Sequence, residues 1–190
     1  MKTQLHIAVR EGRKMKIPTD KPVVFSAGPI RNGPIWQNEA MLHAGQRGED
    51  IFFASPLRDT EDDFDLRLER YLAPATKIQF PRQRAWEQYY LNQAAEQGCV
   101  FFWLAKPLPR EAWQWPEKSY AQITMLELGG WLKAKELIPE TRLVIGIEDG
   151  FPEQSTVQFE IETVLPGLPI YTTLKDTVNA AIDVAISQVV

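Results

Sequence analysis

The chain alternates short apolar runs with longer stretches in which apolar residues recur every three or four positions. That alternation is the pattern of a parallel sheet whose strands are joined by helices. Residues 23–27 predict a first buried strand, running into the turn-rich loop Gly28-Pro29-Ile30-Arg31-Asn32-Gly33-Pro34. A helix follows over 35–44, with Gly45 as its stop. Residues 51–54 predict a second strand, ended by Ser55-Pro56. A helix over 82–97 leads into the apolar strand 99–105. The segment Ser119-Tyr120-Ala121-Gln122 has the form of a capping box, Ser119 as N-cap and Gln122 reaching back, opening a helix to Leu137. Residues 142–147 predict a strand, 156–164 a helix, 169–171 a short strand and 174–188 the closing helix.

Two stretches break this rhythm. Residues 57–81 carry Asp59, Glu61, Asp62, Asp63 and Asp65 and no long apolar run, so they predict an excursion or lid over the strand ends with a helical turn near 64–71. Residues 106–118 hold Pro107, Pro109 and Pro116 together with Trp113 and Trp115. The whole reads as an α/β fold: a doubly wound, mostly parallel five-stranded sheet with helices on both faces, flavodoxin- or Rossmann-like. Residues 23–190 form one domain, and residues 1–22 an N-terminal extension in which 5–9 are a candidate edge strand. In such sheets ligands bind beyond the carboxyl ends of the strands. The loops at 28–33, from 55 onward, 106–118 and 148–154 all belong to that edge.

Composition narrows the function. With 190 residues a single core is expected, and 44% hydrophobic against 24% charged residues is a globular balance. A net charge of −4 without a Lys/Arg run argues against a nucleic-acid polymer as partner. Cys99 is the only cysteine and lies inside an apolar run, which suits a buried residue in a reducing compartment. No stretch reaches about 18 apolar residues and the first residues lack a signal-peptide apolar region, so the expectation is a cytoplasmic protein without a membrane partner. His6 and His43 are too few for a metal centre or a serine triad. The acidic run 59–65 lacks the spacing of a calcium loop. Gly28 and Gly33 lack the third glycine of a dinucleotide fingerprint. Neither a metal nor a cofactor is expected.

Helix periodicity singles out two carboxylates. In the helix after Ser119 the apolar stripe runs through Ile123, Leu126, Gly130, Ala134 and Leu137, and Glu127 falls inside it. A stripe of that kind is expected to face the core, where a carboxylate is costly unless paired, hydrogen-bonded or at work in a cavity. The adjacent Gly129-Gly130 costs about 2 kcal/mol of helix propensity relative to alanine, which close packing on the sheet would explain. Glu87 shares a stripe with Gln83, Tyr90, Leu91 and Ala94, polar at its start and apolar at its end. Neighbouring βα units bring the early turns of both helices to the same strand ends. Two carboxylates on one cleft suit nucleophilic or acid/base chemistry at an acetal-like carbon. Pairing of either with Arg31, Arg58, Arg82 or Arg84 as a structural bridge is the alternative.

Several short motifs, taken in order, resemble the nucleoside 2-deoxyribosyltransferase superfamily. They are Phe25-Ser26-Ala27-Gly28-Pro29-Ile30-Arg31, then Gln83-Arg84-Ala85-Trp86-Glu87, Phe101-Phe102-Trp103, and Ile123-Thr124-Met125-Leu126-Glu127-Leu128-Gly129. The arrangement is closest to the deoxyribosyltransferase-like branch, and Arg31 after Ile30 is similar to the related 2-deoxynucleoside 5′-phosphate N-hydrolases. The resemblance covers residues 23–188. It implies that Glu127 attacks the anomeric carbon of a nucleoside or nucleotide and forms a glycosyl-enzyme, resolved by a second base or by water, with Glu87 orienting the sugar or handling the proton on the base. It also implies a substrate site drawn from Ser26, Gly28, Pro29, Ile30, Arg31, Gln83, Trp86 and Thr124, no cofactor, and a homo-oligomer. The chain departs from the family at Ala121, where the transferases carry an aspartate and the phosphate-binding hydrolases a serine. A nucleotide-binding or sensing domain of the same fold, without turnover, is the other reading. Trp113 and Trp115 are candidates for base stacking or a subunit interface.

Overall fold

The computed structural model describes residues 4–7, 21–56 and 79–187. Its elements follow in chain order as β1 (Gln4–Ile7), β2 (Val23–Ala27), α1 (Trp36–Arg47), β3 (Phe52–Ser55), α2 (Gln79–Gln97) and β4 (Gly98–Leu104), then α3 (Gln122–Leu137), β5 (Leu143–Ile147), α4 (Gln154–Val164), β6 (Ile170–Tyr171) and α5 (Leu174–Ile186). All pairs are parallel, and the strand order is β1-β3-β2-β4-β5-β6. The five expected strands are therefore present as the doubly wound order β3-β2-β4-β5-β6. β1 is added outside β3, with Gln4 level with Phe52 and Ile7 with Ser55, so the candidate edge strand exists, one residue earlier and shorter than expected. The expected excursion at 57–81 lies, up to residue 78, outside the described residues.

Alternation along fully buried strands builds two cores. Val24, Phe53, Cys99, Phe101, Trp103 and Val144 face one way, under α1 and α5. Val23, Phe25, Phe102, Leu104, Ile145 and Ile147 face the other, under α2, α3 and α4. Every residue of β2, β3, β4 and β5 is buried, as a sheet covered on both faces requires. The turn from α2 into β4 contains no loop residue. Gly98 makes this possible: a Cβ there would run into the backbone of Val23. Arg47 ties α1 to α5 through Asp183 at 2.6 Å, and Lys21 ties the starts of β2 and β3 through Asp50 at 2.6 Å.

Helix boundaries differ from expectation where a specific interaction decides. α1 passes Gly45 and stops at Gly48, whose φ of 71° supplies the left-handed C-cap. α3 begins at Gln122 behind Ala121, itself left-handed, and no side chain caps it. The Ser119 capping box is not formed. Tyr120 instead turns inward, its hydroxyl donating to Ala105 O at 2.6 Å and its ring lying against Trp113 and Phe151. Anchoring Tyr120 inside forces the chain through a left-handed step before the helix can start.

The stripe expected to bury α3 is also corrected. The inward residues are Thr124, Leu128 and Leu132, spaced by four, with Met125 and Trp131 partly buried beside them. Ile123, Leu126 and Leu137 stand on the outer side. Both series satisfy helical spacing, and the inward one wins because it carries the residues that reach the β4–β5 core. The glycines do not mark close packing on the sheet: nothing lies within 4 Å of where a Cβ at Gly129 or Gly130 would stand.

Among the described residues no helix is long and apolar enough to cross a membrane.

Candidate functional site

The chain leaves β2 toward β3 on one side, and leaves β4 toward β5 on the other. The carboxyl ends of β2 and β4 therefore form the topological switch point, where loops diverge and leave a crevice. A cleft of about 790 Å³ lies there, within the range of small-molecule sites. Its floor is Phe25 and Ala27 of β2. One wall is the loop Gly28, Pro29, Ile30 and Arg31, and Pro56 closes the side toward β3. Glu87, Gln88 and Leu91 of α2 face it across from Ala121–Thr124, Leu126, Glu127, Gly130, Trp131 and Ala134 of the α3 segment, with Lys118 and Ser119 at the mouth.

The loop after β2 is held by its neighbours. Gly28 sits where a Cβ would meet the Trp103 carbonyl and, at 2.6 Å, the Trp36 ring, so only glycine lets the backbone pass. Trp36 donates from Nε1 to Pro29 O at 2.9 Å. Asn32, buried and with φ of 60°, joins this loop to the 106–118 segment. Its Nδ2 donates to Trp115 O at 2.9 Å, its Oδ1 accepts from Trp115 N at 3.1 Å, and its carbonyl accepts from Leu108 N at 2.9 Å. The 106–118 segment is itself braced. Trp113 Nε1 donates to Leu108 O at 2.8 Å, and Arg110 stacks on Trp113 at 4.0 Å while donating to Pro116 O at 2.6 Å. Lys106 N donates to Glu148 Oε2 at 2.9 Å, linking the loops after β4 and β5. The segment is an ordered buttress, with Trp113 engaged in holding it together.

The structure brings Glu87 and Glu127 to the same cleft from facing helices, both half-buried. Gly28, Pro29, Ile30, Arg31 and Thr124 join them. Thr124 is 94% buried, being 6% exposed, and contributes from the first turn of α3. Ser26 does not join them. Strand alternation puts Phe25 and Ala27 on the cleft face and Ser26 on the opposite one, where its hydroxyl donates to Ala54 O at 3.4 Å. Gln83 and Trp86 occupy α2 ahead of Glu87, and their side chains lie outside the described residues. Burial pushes the Tyr120 hydroxyl pKa up, with the Glu148 carboxylate adding to it, so Tyr120 is a neutral donor to Ala105. Burial likewise raises the Cys99 thiol, which is unsuited to nucleophilic work.

Sequence reasoning missed Asn32, Lys118 and Tyr120. For Asn32 a signal existed: asparagine directly before glycine in a turn-rich loop favours the left-handed conformation. For Tyr120 the capping-box pattern concealed it. Among the described residues no group of three or more His, Cys, Asp or Glu stands together to hold a metal. No protein-family model matches the chain, and no curated protein matches it.

Proposed function

We propose that the protein cleaves or transfers the N-glycosidic bond of a nucleoside or nucleotide, with Glu127 as nucleophile. The observation that carries this reading is the meeting of Glu127 and Glu87, from two facing helices, in one cleft at the switch point of the sheet. A carboxylate Oε of Glu127 attacks the anomeric carbon, and the C–N bond pair leaves with the base. Glu87 orients the sugar or delivers the proton that the departing base takes up. The resulting glycosyl ester is opened by water or by a second base, which takes the sugar and restores the Glu127 carboxylate. The exposed cations Arg31 and Lys118 at the cleft favour a substrate bearing an anionic group such as a 5′-phosphate. The site needs no cofactor for this chemistry, and the resemblance adds the expectation of a homo-oligomer.

The test is chromatographic. Wild type, Glu127→Ala and Glu87→Gln are incubated with nucleosides and their 5′-monophosphates, with and without a second free base. Wild type is expected to release or exchange base, Glu127→Ala to lose at least about 1,000-fold in rate, and Glu87→Gln about 100-fold. Ligand-induced thermal stabilisation with no product from any member of the panel would overturn the enzymatic reading in favour of a sensing domain.

A further inference from the structure

The two tryptophans of the 106–118 segment are used differently. Trp113 is occupied by the segment itself: its indole N–H donates to Leu108 O at 2.8 Å, and Arg110 stacks on its ring at 4.0 Å. Trp115 is held through its main chain. Its N and O both bond the Asn32 side chain, and its O also accepts from Lys118 N at 3.1 Å. Among the described residues the Trp115 indole makes no hydrogen bond or ring contact, and the residue is 39% exposed. Leu108 and Ile35, 36% and 41% exposed, lie beside it around Asn32. Leu108 N donates to Asn32 O, and Ile35 follows Asn32 by three residues. The three make an apolar ledge whose aromatic member has a fixed backbone and an open ring. A single exposed leucine is ordinary on a protein surface, but a braced aromatic within an apolar cluster marks a recognition surface.

The position of the ledge argues for its occupant. Arg31 and Lys118 are exposed cations that line the cleft. Arg31 immediately precedes Asn32, and Lys118 bonds the Trp115 carbonyl. The ledge therefore adjoins the cations on the side away from the cleft. A ligand followed outward from Glu127 meets first the cleft of about 790 Å³, then two positive charges, then an aromatic surface. A mononucleotide ends at its phosphate and leaves that surface untouched. A dinucleotide joined through its 5′-phosphates has the same order of parts: a nucleoside, two anionic phosphates and a second base. Cations take the phosphates, and stacking on tryptophan serves any base, because every base has a π-face. The net charge of −4 disfavours a longer nucleic acid on the same surface.

We propose that the substrate is a dinucleotide joined by a 5′,5′-pyrophosphate, one nucleoside entering the cleft and the base of the other stacking on Trp115. This rests on the proposed function, since the nucleoside in the cleft is the one whose N-glycosidic bond faces Glu127. The test is titration calorimetry on Glu127→Gln, which holds ligand without turnover. The 5′-monophosphates of the common ribo- and 2′-deoxynucleosides are compared with the matching symmetrical dinucleoside 5′,5′-pyrophosphates. At least one pyrophosphate is expected to bind about tenfold tighter than its monophosphate, or better. Adding Trp115→Ala is expected to abolish that preference while monophosphate affinity stays within about twofold. The loop keeps its brace in that variant, because the Asn32 bonds go to main-chain atoms that alanine retains. Trp115→Phe is expected to restore most of the preference. Equal affinity of monophosphate and pyrophosphate would overturn the proposal and leave the proposed function standing. A preference that survives Trp115→Ala would overturn it too, and so would an equal loss of both ligands, which would make the ring a support of the loop. If neither series binds, the nucleotide reading of the cleft falls and the dinucleotide with it.

Discussion

Tyr120 shows how one side chain sets the position of a helix at the cleft. Its hydroxyl bond to Ala105 O and its packing between Trp113 and Phe151 fix where α3 begins, and α3 carries Glu127. Tyr120→Phe removes the donor to a buried carbonyl and is expected to cost about 1–2 kcal/mol in urea denaturation. The same residue predicts a pH dependence. Its pKa is raised above the ordinary 10 by burial first and Glu148 second, so the folded state favours the neutral phenol. That stability is complete below pH 10 and is lost as pH rises beyond it. Stability of wild type should therefore fall above pH 10, and Tyr120→Phe should make the decline shallower. Equal slopes in the two proteins would contradict the assignment. Asn32 acts in the same way at the other wall. Asn32→Ala loses both side-chain bonds to Trp115 and should cost about 2 kcal/mol, with a change in tryptophan emission as the loop loosens.

At the scale of elements, the junction of α2 and β4 depends on Gly98. Gly98→Ala drives a Cβ into the Val23 backbone and is expected to lower stability by about 3 kcal/mol, read from the denaturation midpoint at unchanged slope. The strands were legible in the sequence because buried parallel strands are short, uninterrupted and apolar, as 98–104 and 143–147 are. The helix positions were legible too, but the face each helix buries was less so. On α3 two interleaved series, 124-128-132 and 123-126-130-134-137, satisfy helical spacing equally well, and only the three-dimensional route of the chain decides between them. Placement of Glu87 and Glu127 at one cleft followed from the order of βα units. Exclusion of Ser26 followed from strand alternation, which the loop motif obscured. The bonds from Asn32 to Trp115, 83 positions away, were not legible, because no local pattern encodes a partner at that distance.

For the whole molecule, the doubly wound sheet makes a crevice at one place, and the chain puts its two helix-borne carboxylates there. The opposite face, under α1 and α5, is an apolar core that holds Cys99, Phe101 and Trp103. A nucleophilic Glu127 has a consequence that intact mass can read directly. Wild type mixed rapidly with a substrate nucleoside or nucleotide that the chromatographic panel identifies, and quenched in acid, should gain the mass of one glycosyl group. Proteolysis should place that group on the peptide containing Glu127, and Glu127→Gln should gain nothing. Base release by wild type with no adduct at any quench time, or an adduct that persists in Glu127→Gln, would contradict a glycosyl-enzyme on this residue.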